Sequence, residues 1–270
     1  MGTPSDSIVA KLARAEEHVH NLDAALAGIC QRSPIRTRVV TSADQTRHSL
    51  RAFGVAAGPP EVSLLVGEVL YQLRSTLDHL VYELVIRNGG RPTSRTEFPI
   101  CPTRVKYQAA AIDKLNDVAS GAQDAIERLQ PYHAGDGAGD EVRAERATRA
   151  DELFVLQGFA RIDRHRFMSI IRASFTMRPE VMRPGVQPPG RGGGPAVAFA
   201  DGDEVYWCEF AHPTDPSDVT HPYTVKEVLQ GDWDPAFRVI NDSGYKTVVE
   251  RLTGLCDRVR GVVDQLNSFL

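Results

Sequence analysis

Two runs of seven apolar residues, one at each end of the chain, constrain the fold more than any other feature. Ile8, Leu12, Ala15, Val19, Leu22, Leu26 and Ile29 are spaced 4, 3, 4, 3, 4, 3. Val248, Leu252, Leu255, Val259, Val262, Leu266 and Phe269 repeat that spacing. A 3.5-residue period lines each set along one narrow helical stripe, the kind of seam a helix buries against a neighbour. The spacing predicts helices over 5–32 and 244–269, packed side by side or onto the same central helices. Ser5 or Ser7 can cap the first.

The middle of the chain supplies a surface for them. Pro60 and Glu61 open a helix predicted over 61–88, with proline and an acid where a first turn favours them. Val62, Val66, Val69, Leu73, Leu77, Leu80 and Leu84 form its main face. Leu65, Leu70 and Val81 widen that face beyond a stripe, so this helix is expected at the centre. Asn88-Gly89-Gly90 stops it. Shorter helices are predicted at about 103–115 and 117–129, and a third long helix over 145–177, with Leu156, Ala160, Asp163, Phe167, Ile170 and Ser174 on one side. Residues 34–57 and 196–210 alternate as hairpins, the second turning at Asp201-Gly202, and 237–242 reads as one more strand. The expected fold is α+β and mostly α: a helical bundle with long central helices and a small antiparallel sheet from 35–55, 196–210 and 237–242. It is expected as a single domain over 1–270, with flexible loops at 133–141 and 184–195, because neither loop separates pieces that have their own core.

Charge and cysteine usage narrow the function classes. The net charge is -4, from 31 basic and 35 acidic residues. That argues against a nucleic-acid coat over the whole surface while leaving room for a local basic site. All but five of the basic residues are Arg, whose planar fork matches phosphate, although such an excess also follows from a GC-rich genome. Residues 143–183 carry nine Arg against five acids, a basic face or simply a solvated helix surface. Cys30, Cys101, Cys208 and Cys256 share no CxxC spacing, which excludes zinc-ribbon and thioredoxin-like readings and fits free thiols in the cytoplasm. No apolar run reaches 18 residues and the N-terminus has no apolar leader region, so neither membrane insertion nor secretion is expected. GRGGG at 190–194 lacks the Lys-Ser/Thr of a phosphate loop. His212, Asp215, Asp218 and His221 sit beside prolines and read as solvated rather than metal-binding. No cofactor or metal is expected.

One stretch carries a recognisable pairing of chemistry: Leu73-Arg74-Ser75-Thr76-Leu77-Asp78-His79, with four residues between Arg and His. It resembles the HEPN superfamily of helical-bundle proteins, many of them ribonucleases marked by an Arg, four to six residues, then a His. The family usually has Asn, Asp or His directly after the Arg; here it is Ser75. The resemblance implies a metal-independent RNA endonuclease, of the toxin or phage-defence kind, with its site where two protomers pair. Its partners would be RNA and an antitoxin or other protein. His79 would act as general acid/base on a ribose 2′-hydroxyl, and Arg74 would stabilise charge on the phosphoryl group.

Helical geometry offers another reading. At about 100° per residue, Arg74 and His79 fall on opposite margins of the apolar face, and Asp78 is the natural i+4 ion-pair partner of Arg74. The segments LRSTLDH, FPI, LQPY and IDRHR, in that order, are also similar to a broad set of bacterial proteins, which implies architecture and no activity. Asp163, inside an apolar stripe, needs a cationic partner. A buried network of Arg74, Asp78, His79, Asp163, His165 and Arg166 across two central helices is therefore expected. It is either a catalytic or phosphate-binding centre, or a polar device that fixes helix register in a non-catalytic interaction or scaffold protein. Tyr71 and Tyr82, on the reverse of the second helix, point to a homodimer.

Overall fold

The computed structural model describes residues 6–32, 36–54, 59–164, 170–172, 191–193, 201–210, 213, 237–239 and 246–270. The described residues form a mostly helical α+β fold. The helices are α1 (Asp6–Arg32), α2 (Pro60–Arg87), α3 (Arg104–Lys114), α4 (Ser120–Arg128), α5 (Glu141–Ala150), α6 (Glu152–Asp163) and α7 (Val248–Leu266). The strands are β1 (Arg36–Thr41), β2 (Arg47–Phe53), β3 (Ile170–Arg172), β4 (Arg191–Gly193), β5 (Glu204–Glu209) and β6 (Phe237–Val239). They group into two compact units, each built from separate stretches of chain: residues 1–23, 63–168 and 249–270 in one, 24–62 and 169–248 in the other.

The first unit is the helical one. Ile8, Leu12, Ala15, Val19 and Leu22 of α1 are buried, as are Leu252, Leu255, Val259, Val262 and Leu266 of α7, so both seams find partners. Ser7 meets His79 and His18 meets Glu68, which sets α1 antiparallel to α2. Arg260 of α7 pairs with Glu16 of α1. In α2, Val66, Val69, Leu70, Leu73, Leu77, Leu80, Val81 and Val85 have no exposed surface. Each such side chain contributes about 1.5–3 kcal/mol of transfer free energy. A helix buried this broadly is the centre of its unit, as the width of its apolar face predicts.

The predicted third long helix is two helices and a strand. Asp151 adopts φ -61°, ψ 133°, ends α5 and caps α6, its side chain accepting from the Leu153 N–H at 2.9 Å. An Asp side chain competes for backbone donors, so an apolar period running through it does not make one helix. The Arg258 guanidinium of α7 reaches the same carboxylate at 3.4 Å and the Leu129 carbonyl at 3.1 Å. Residues 170–172, expected at the end of that helix, are β3.

The segment expected as a flexible loop at 133–141 begins inside a 3-10 turn, Pro131–Gly135, packed on α5. A Cβ on Gly135 would fall 2.8 Å from the Ala144 carbonyl, so only glycine permits this approach. Asp140 then caps α5 by accepting from the Arg143 N–H at 2.8 Å. Of the second predicted loop, 184–195, residues 191–193 form β4 and the rest lies outside the described residues.

In the second unit a four-stranded antiparallel sheet runs in the order β1-β2-β5-β4. The predicted hairpin over 34–57 and the second arm of the one over 196–210 thus meet in one sheet, Asp201-Gly202 turning into β5 with Gly202 at φ +86°; the first arm, 196–200, lies outside the described residues. The third predicted strand does not join them: β6 pairs with β3 in a separate two-stranded sheet. Its partner β3 lies within the stretch predicted as the third long helix. On β2, His48, Leu50 and Ala52 are buried on one face, and Arg47 and Arg51 are exposed on the other, where Ser49 between them is also buried.

Candidate functional site: the polar knot on the central helix

α2 carries its polar side chains between apolar rows, and their positions decide what they can do. The Arg74 guanidinium donates from Nη2 to Asp78 Oδ1 at 2.8 Å and to the Phe98 carbonyl at 2.6 Å. The Phe98 N–H in turn donates to the same Asp78 oxygen at 2.9 Å. This closed triangle clamps the backbone of Phe98, whose ring is fully buried. Glu97 stands 3.9 Å from Arg74 and also pairs with Lys114. Arg74 Nη1 is buried without a hydrogen bond. Burial raises the Asp78 carboxyl above its ordinary value, partly offset by the Arg74 charge and the Phe98 N–H.

The next residues are held from the other side. Gln130 accepts from the Cys101 N–H at 3.0 Å and donates to the Pro99 carbonyl at 2.8 Å and the Ile126 carbonyl at 3.1 Å. It is almost fully buried, with three of its hydrogen-bonding positions used. The segment Phe98-Pro99-Ile100-Cys101 is thus an irregular strip of backbone whose polar groups are satisfied by Arg74 and Asp78 at one end and Gln130 at the other. Residue-by-residue reading of the sequence missed Gln130. The available signals were a Gln directly before Pro at a helix end and, about 30 residues earlier, an extended Phe-Pro segment whose backbone groups need partners.

The six predicted site residues do not form one cluster. Arg74 and Asp78 are together. His79 lies on another side of α2, half-buried, with Nδ1 3.2 Å from the Ser7 hydroxyl of α1. Asp163 ends α6 against Gly67 of α2. It makes no hydrogen bond or ion pair with Arg74, Asp78 or His79, nor with any other described residue. Burial raises its carboxyl. The expectation that Asp163 is paired with a cation from the second helix is therefore corrected. Gly67 lies seven residues before Arg74, about 10 Å along the helix, beyond the reach of a contact. His165 and Arg166 lie outside the described residues, as do His212, Asp215, Asp218 and His221.

The remaining face of α2 is open. Leu64, Tyr71, Tyr82 and Ile86 are exposed, Tyr71 at 65 %. At about 100° per residue they fall within an arc of about 60°, with Ser75 inside it. Lys11 of α1 lies over the Tyr71 ring at 5.9 Å. Among the described residues no group of three His, Cys, Asp or Glu side chains is placed to hold a metal ion, and no helix is long and apolar enough to cross a membrane. Comparison with protein-family models, curated proteins and solved structures found no match.

Proposed function

We propose that this chain is a non-catalytic helical interaction protein that self-associates through the open face of α2. One observation carries the reading: the most deeply buried helix of its unit leaves Leu64, Tyr71, Tyr82 and Ile86 in solvent along one side. Aromatic side chains supply large contact area at low entropic cost and are enriched where proteins meet. The polar chemistry beside this face supports the same reading. Arg74 is occupied by Asp78 and the Phe98 carbonyl, which is a way of holding a loop rather than of presenting a guanidinium to a phosphate.

A metal-independent RNA endonuclease is the second reading. It draws on one feature: Arg74 and His79 flank the open face from opposite margins, so pairing two such faces brings both residue types to one interface. The experiment is RNA cleavage in the presence of chelator, wild type against His79→Ala, run beside light scattering. Self-association without cleavage supports the scaffold reading. Cleavage lost in His79→Ala replaces it with the nuclease, and a monomer near 29.6 kDa at micromolar concentration overturns both.

A further inference from the structure

The exposed face of the four-stranded sheet gathers four Arg side chains, three of them with no carboxylate partner among the described residues. β1 and β2 pair so that Arg36 stands opposite Phe53 and Arg38 directly opposite Arg51. β2 and β5 pair so that Ser49 stands opposite Trp207 and Arg47 opposite Glu209. Residues opposite one another share a face, so Arg36, Arg38, Arg47, Arg51, Phe53 and Trp207 lie on one side of the sheet together with Glu204 and Glu209, four basic side chains against two acidic ones. The four Arg side chains are exposed. Arg47 alone has a carboxylate partner, Glu204 at 2.7 Å. Arg51 donates only to the Gly202 carbonyl, at 3.1 Å. Among the described residues no carboxylate pairs with Arg36, Arg38 or Arg51.

Like charges directly across a strand pair destabilise a sheet, and no carboxylate among the described residues offsets the Arg38–Arg51 juxtaposition. An anion above the face removes that cost. The aromatic rings specify which kind. Arg47 lies over the Trp207 ring at 4.4 Å, and Arg38 over the Phe53 ring at 5.4 Å. Each pair sets a guanidinium over an aromatic ring on the face that carries the exposed Arg side chains. Guanidinium planes and aromatic rings are the surfaces on which unstacked bases settle, and sheet faces that combine them with free cations bind single strands. Duplexes keep their base faces hidden and offer nothing to such a platform.

We infer that this sheet face binds a single-stranded polynucleotide, with phosphates on Arg36, Arg38 and Arg51 and bases on the Arg47–Trp207 and Arg38–Phe53 stacks. The inference uses residues of the second unit only and stands whether or not α2 mediates self-association. An overall charge of -4 does not oppose it, because a local group of Arg side chains can bind a polyanion on a chain that is acidic overall.

The test is fluorescence anisotropy of labelled 20-nucleotide oligouridine and oligothymidine on the full chain, with a duplex and heparin as controls. Single strands should bind more tightly than duplex, and comparison of the two single strands decides between RNA and DNA. Three phosphate contacts at about 0.7 each give a log–log salt slope near -2. Arg38→Ala with Arg51→Ala should bring the slope to about -0.7 and weaken binding at least about tenfold. Both side chains are exposed, so the double variant should fold as wild type by circular dichroism. Trp207→Leu should weaken single-strand binding by roughly fivefold or more and leave heparin binding unchanged. No single-strand binding overturns the inference. So do duplex or heparin binding as tight as single-strand binding, and an Arg38/Arg51 variant that binds like wild type.

Discussion

The Asp163 carboxylate of α6 lies against Gly67 of α2, its Oδ1 2.7 Å from the point a Cβ on that glycine would occupy. A half-buried carboxylate is thus set beside a bare stretch of helix, with no cation among the described residues to offset its desolvation. Its carboxyl is raised above the ordinary 3.8 by burial. A raised folded-state value means that protonation favours the folded state. The contribution is full below about pH 4 and is lost as pH rises through the folded value. Asp163→Asn should therefore be at least as stable as wild type at pH 7, and its advantage should vanish at pH 4. Thermal melts of both proteins at the two pH values check this.

Asp151 should behave in the opposite way. It caps α6 through the Leu153 N–H and receives Arg258 from α7. Asp151→Ala removes a cap worth about 1 kcal/mol and leaves a partly buried guanidinium short of a partner. In denaturant titrations it should be clearly less stable than Asp163→Ala.

Breaking the knot on α2 should cost more than either. Asp78→Ala leaves Arg74 without its carboxylate and the Phe98 N–H without an acceptor. Stripping one partner from a largely buried pair costs up to about 3–5 kcal/mol; partial exposure of both side chains puts the expectation near 2–3 kcal/mol. Arg74→Met with Asp78→Leu should recover part of the loss, because it removes both charges together.

Gln130→Leu keeps the volume and deletes the hydrogen bonds. It orphans the Cys101 N–H and the Pro99 carbonyl, each worth roughly 1–3 kcal/mol when left buried and unsatisfied. Stability should fall by about 2–4 kcal/mol. Hydrogen exchange at Cys101 should accelerate beyond what global destabilisation explains.

Self-association through α2 predicts that Tyr71→Glu with Tyr82→Glu yields a folded monomer that still melts cooperatively, somewhat below wild type because stabilisation by association is lost. Both rings are at least half exposed, so the folded monomer loses little. Light scattering and a thermal melt of the same sample check the two halves of this expectation.

Helical periodicity by itself determined the framework. The seams of α1 and α7 and the broad apolar face of α2 are local properties, and each maps directly onto buried residues such as Leu22, Leu73 and Val259. The Arg74–Asp78 pair was also legible, since residues four apart meet on any helix. Other features depended on contacts that no local pattern encodes. Asp151 could continue a helix or cap one, and α7's Arg258 sits at the carboxylate where it caps. Asp163 could point at a cation or at a glycine, and the phase of α6 against α2 set it on Gly67. Gln130 acquired its role from the Phe98–Cys101 backbone, 29 residues away from it at Cys101. The basic face of the sheet needed strand register to bring Arg38 across from Arg51 and Arg47 over Trp207. Local sequence specifies which face of an element is apolar. Only packing specifies what its polar side chains meet, because that depends on the position and rotation of a second element.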